Sequence, residues 1–187
     1  FGLLAYIELT GSAAAPPAEA SGEESEDGQR SHPIEEILAR GSRHLVRGEA
    51  GSGKTTLLQW LGVACARRDL GEDLRDWGDA VPFFVRLRGY VGRELPQPSQ
   101  FVSELNRSLA EKMPEGWVGA QMESGRALVL LDGVDELREE EREPAAEWLR
   151  DLVSAYPRAR YVLTSRPPAV SAAWGSSYVN DFIDKGR

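Results

Sequence analysis

The chain contains one cysteine, Cys65, and lysine at only three positions, Lys54, Lys112 and Lys185. A single cysteine excludes an internal disulfide framework. Cys65 lies in an apolar helical pattern and reads as a buried, inert thiol. No apolar run approaches the ~18 residues of a membrane span, and no secretory signal is visible. A reducing, cytoplasmic setting without a membrane partner is the expectation. A basic surface is also missing: the net charge is −8, the opposite of what a protein needs to displace counterions from nucleic acid. Nucleic acid is therefore not an expected partner.

With 187 residues the chain can bury one well-filled core. Because it opens at Phe1 and closes on DKGR, we expect it to be part of something longer. The run FGLLAYIELT predicts a strand over residues 1–10. Residues 11–31 carry Glu19, Glu23, Glu24, Glu26 and Asp27 among Pro, Ser and Gly, without apolar periodicity, and read as a flexible acidic loop. From residue 32 to 170 strands alternate with helices. HPIEEILAR predicts a short helix opening at Pro33, with Glu35 and Glu36 in its first turn. RHLVRG, VPFFVRLR, ALVLL and ARYVLTS predict strands. Between them lie helices buried through Leu57, Leu58, Leu61, Ala64 and Cys65, and around Phe101, Val102, Leu105 and Leu109. A short helix between Pro114 and Ser124 and one after Pro144, presenting Trp148, Leu149, Leu152 and Val153, complete the series. This alternation argues for βαβ units and a parallel sheet. Residues 171–187 remain an unassigned tail.

Three segments carry chemistry. The first, GEAGSGKTT, runs through Gly48, Glu49, Ala50, Gly51, Ser52, Gly53, Lys54, Thr55 and Thr56 and fits G-x-x-x-x-G-K-[ST]. Its glycines let backbone N–H groups turn inward around a phosphate, and the following helix adds its positive end. Lys54 would reach the β- and γ-phosphates, and the Thr55 hydroxyl would bind Mg²⁺. In the second, LLDGVDEL, Asp132 closes an apolar strand, where a carboxylate can hold Mg²⁺ opposite Thr55. Gly133 would leave room near the metal. Asp135 and Glu136 are the candidates to orient or deprotonate an attacking water, with Glu136 favoured. The third, YVLTSRP, ends a strand in Thr164, Ser165 and Arg166. Thr164 or Ser165 would sense phosphate or position water. Arg166 would pair either with phosphate or with the acidic cluster.

In this order, GEAGSGKTTLLQWL, FFVRLR, LVLLDGVDEL and YVLTSRP resemble the NACHT group of signal-transducing P-loop NTPases, similar in kind to nucleotide-switch ATPases of innate immunity and bacterial anti-phage defence. A small residue after the first acid, followed by an acidic pair, is the group's most specific mark. The resemblance covers about residues 1–170. It implies a three-layer α/β/α core with a mainly parallel sheet, in which Lys54, Thr55, Asp132 and Arg166 take the group's nucleotide roles. It also implies ATP and ADP with Mg²⁺ as ligands, slow hydrolysis, and a switch: diphosphate holds a closed monomer, and triphosphate favours self-association. The helical and winged-helix regions that follow such a core are not expected within this chain.

Other readings stay open. No N-K-x-D base-reading motif exists, since the only asparagines are Asn106 and Asn180, which disfavours a GTPase. A non-catalytic nucleotide-binding assembly module would use the same residues. A DNA-associated ATPase of the wider class would need a basic face, for which Arg86 and Arg88 are the available pair. Ile34, Ile37 and Leu38 read either as an apolar wall for the base or as core.

Overall fold

The computed structural model describes residues 10–14, 32–103, 105–169 and 181–185. Its centre is a sheet of β1 (Thr10–Ala14), β2 (His32–Pro33), β3 (Arg43–Gly48), β4 (Val81–Arg86), β5 (Ala127–Asp132), β6 (Arg160–Ser165) and β7 (Asp181–Lys185), in the order β2-β1-β7-β3-β6-β5-β4. From β7 to β4 neighbouring strands run parallel, while β1 is antiparallel to both β7 and β2. The register pairs Val46 with Thr164 and Arg86 with Asp132, so the ends of β3, β6, β5 and β4 come out along one edge. That edge carries the functional segments.

Strand pleating sends alternate side chains to opposite faces, and each face has its own layer. On one side Val46, Leu128, Leu130 and Val162 pack against α1 (Ile34–Ala39) and α2 (Lys54–Arg67). On the other side Leu45, Phe83, Val85, Val129, Leu131, Tyr161 and Leu163 pack with residues of α4 (Trp117–Ser124) and α5 (Glu139–Ala155). The result is the three-layer α/β/α core expected, with β5 buried on both faces as its unbroken apolar run requires.

Helix α2 seats Leu57, Leu58, Leu61, Ala64 and Cys65 as the spacing predicts. Ile34, Ile37 and Leu38 are all at most 2% exposed and belong to the core beneath α2; the role of base wall falls away. Three elements differ from expectation. Helix α5 starts at Glu139, five residues before Pro144. Its first turn is all glutamate, which suits a helix N-terminus. The Glu141 carboxylate accepts the backbone N–H of Arg138 at 2.9 Å and of Gly92 at 2.6 Å, and these bonds hold its carboxyl below the usual range. The proline then removes one ladder bond from an already nucleated helix.

The helix expected through Leu105 and Leu109 is broken. Phe101 and Val102 are buried, but Leu105 and Leu109 are exposed. Helical structure restarts only at α3 (Arg107–Ala110), where the Asn106 side chain accepts the Leu109 N–H at 3.0 Å. A side chain that caps the backbone locally competes with a continuous helix through it.

The ends of the chain give the third difference. Thr10–Ala14, placed mostly in the acidic loop by composition, form β1, and Asp181–Lys185, placed in the unassigned tail, form β7 beside β3. Both therefore belong to the core sheet, joined through backbone pairing that composition does not announce. The strand expected over 1–9 and most of the acidic segment lie outside the described residues.

Cys65 is 2% exposed, and burial pushes its thiol up to about 11. At pH 8 the native chain should therefore resist alkylation by iodoacetamide and label stoichiometrically once unfolded in urea, as counted by intact mass.

Candidate functional site

Where β3 ends at Gly48 the chain turns through Gly51 and Gly53, with φ of 81° and 80°. These left-handed values suit glycine and would strain other residues. Gly53 caps α2 without any side chain, so the first-turn N–H groups face the loop. A 14-residue helix adds its dipole there. The Lys54 ammonium folds back over the turn and donates to Gly48 O at 2.6 Å and to Glu49 O at 2.9 Å. Burial lowers its pKa. The Asp135 carboxylate opposes that shift, Arg166 adds to it, and Asp132 and Glu49 oppose it. Both charged groups of the Asp135–Arg166 pair therefore act on the ammonium.

Thr55 follows Lys54 in the first turn of α2 and meets Asp132, the last residue of β5. Its hydroxyl lies 3.1 Å from each carboxylate oxygen. Asp132 Oδ1 also accepts the Thr164 hydroxyl at 2.8 Å, and Thr164 Oγ1 in turn accepts the Gly133 N–H at 3.0 Å. Thr164 is fully buried. Its hydroxyl is thus engaged in fixing the carboxylate. A hydroxyl and a carboxylate at the mouth of a phosphate loop suit Mg²⁺, which takes few protein oxygens and completes its shell with water and phosphate.

The acidic pair divides. Gly133, at φ 82°, turns the chain into a short 3₁₀ turn over Val134–Glu136. A Cβ on Gly133 would sit 3.0 Å from the Glu136 side chain. The room expected near a metal is thus taken by Glu136, whose side chain folds back over the glycine. Glu136 is exposed. Asp135 points elsewhere: Oδ2 takes Arg166 Nε at 3.0 Å and Oδ1 takes the Arg166 backbone N–H at 3.0 Å. Of the two roles open to Arg166, the ion pair is the one present. Arg86 and Arg88 are exposed, and the Arg86 guanidinium stacks 5.5 Å from the centre of the Phe84 ring.

A glycine turn on a helix N-terminus, a lysine over it, and a Thr–Asp pair from helix and neighbouring strand end together define a P-loop NTPase. A family model, the NACHT domain, matches residues 42–180. The chain belongs to the NACHT family, and nucleotide binding and NTPase chemistry come with that membership. A search of curated proteins finds no match. Among the described residues no helix is long and apolar enough to cross a membrane.

What sequence reasoning missed is the Thr164 hinge between β5 and β6. Its only trace was a hydroxyl directly after the apolar run Tyr161–Leu163. Thr164→Val keeps the shape but leaves the buried Gly133 N–H unpartnered; we expect a loss of about 1–3 kcal/mol in urea denaturation. Thr164→Ser should recover most of it.

Proposed function

We propose that this domain is an ATP-binding, slowly hydrolysing switch that controls nucleotide-dependent self-association, in a bacterial defence or regulatory protein of the cytoplasm. The observation that carries this reading is the Thr55–Asp132 contact at the mouth of the glycine turn, with the Lys54 ammonium lying across the same turn. The nine residues Gly48–Thr56 would wrap the phosphates, and Lys54 would leave its loop carbonyls for phosphate oxygens, a charge-assisted exchange. Thr55 and Asp132 would hold Mg²⁺, whose contribution is to neutralise charge building on the transferred phosphoryl group.

Glu136 is the residue we assign to orienting the attacking water. Both Asp135 oxygens are engaged, whereas the Glu136 carboxylate is exposed and carried on a three-residue turn directly after the metal-binding strand. Slow turnover is what the resemblance to nucleotide-switch ATPases implies. A second reading, a module that holds nucleotide for assembly with negligible hydrolysis, would use the same residues. A DNA-associated role draws no support from a net charge of −8. Adenine specificity rests on family kinship and the absent N-K-x-D motif.

Two measurements test these assignments. Glu136→Gln should cut ATP turnover by ~10²-fold while leaving ATP affinity near the wild-type value; unchanged turnover refutes the assignment and favours the holding module. Lys54→Ala should abolish ATP-dependent self-association of the complete protein, followed by light scattering. Assembly that persists in that variant overturns the switch reading.

A further inference from the structure

Between the segment after β4 and the first turns of α5 lies a cleft of about 520 Å³ that nucleotide chemistry does not use. Tyr90, Leu95, Leu137 and Trp148 give it an apolar lining, and Glu94 and Glu140 add two acids, both exposed. Its walls are tied together. The Gly92 N–H donates to the Glu141 carboxylate at 2.6 Å, and the Trp148 indole N–H donates to Pro96 O at 3.1 Å. Arg93, the cation of the lining, lies over the Tyr90 ring, 5.8 Å from its centre. A preformed apolar cleft with a few polar groups is the kind of surface that receives a ligand or a partner's side chains.

The same layer carries an apolar patch. Leu105 and Leu109 are 56% and 53% exposed, and the exposed cations Arg107 and Lys112 flank them. Arg107 approaches Glu111 at 3.8 Å, a surface contact whose loss costs little. Leu95 and Trp148 of the cleft, and Ala110 and Met113 beside the patch, pack against one core cluster, so cleft and patch lie on one side of the sheet.

We propose that the cleft receives Leu105 and Leu109 of a second copy of this chain, the two copies pairing about a two-fold axis. Each copy gives its leucines and accepts those of the other. A two-fold contact requires both halves of the fit on one side of the molecule, and that is where they lie. The leucines match the apolar walls, while Arg107 and Lys112 match Glu94 and Glu140 in sign, which fixes register. Glu139 and Glu143, also exposed on α5, add to a field that favours a basic patch over an acidic one. A two-fold contact closes on itself, so this association stops at two copies. Pairing needs no nucleotide, and ATP-dependent association is growth beyond the pair; the inference stands apart from the switch reading.

The test is sedimentation velocity of the complete protein without nucleotide, at concentrations up to ~0.5 mM because small interfaces are weak. One variant, Leu105→Ser with Leu109→Ser, removes the patch. Another, Glu94→Arg with Glu140→Arg, reverses the acids of the cleft. Both change exposed side chains, and circular dichroism checks that each variant folds. Wild type should form pairs. The patch variant should pair about 100-fold more weakly, ~10-fold for each of two equivalent contacts, and the cleft variant at least ~10-fold more weakly. Mixed together, the two variants should pair better than either alone, because one still offers a cleft and the other still offers leucines. Four results overturn the proposal: a monomeric wild type, either variant pairing as the wild type does, a mixture no better than its components, or growth past two copies without nucleotide.

Discussion

The Asp132 carboxylate is the contact on which the rest of the site depends. It closes β5, receives Thr55 from the first turn of α2, and receives Thr164 from β6. Three elements far apart in sequence are thereby tied at one pair of oxygens. The hydrophobic layers beneath set the height of the carboxylate. Leu128 and Leu130 bury on the α2 side, Val129 and Leu131 on the other, and the next residue is delivered to the sheet edge on the α2 side.

The two cations of the site are each settled on protein oxygen. Lys54 lies on carbonyls of its own turn, and Arg166 lies on Asp135. On the proposed reading the phosphates of a nucleotide recruit Lys54. Lys54 trades neutral carbonyls for charged oxygens, a gain available to any phosphate.

The parts of this molecule written in local patterns were legible. Five buried positions on α2, the continuous apolar β5 and the glycine turn each follow from a period or a backbone requirement confined to a few residues. Asp132 was found the same way, as a charge ending a buried strand. The remainder depended on tertiary pairing. β1 and β7 enter the sheet through backbone bonds that residues such as TGSAA do not advertise. The division between Asp135 and Glu136 follows from the left-handed turn at Gly133, and only the folded chain shows that Asp135 holds Arg166. Leu105 and Leu109 had helical spacing, yet the Asn106 cap overrode it.

The most direct measurement of the central claim is the Mg²⁺ dependence of ATP binding, compared between the wild type and Asp132→Asn. If Asp132 joins metal to nucleotide, Mg²⁺ should tighten ATP binding to the wild type by at least ~10-fold, while Asp132→Asn should bind ATP equally with and without the ion. An undiminished Mg²⁺ effect in Asp132→Asn would contradict the account.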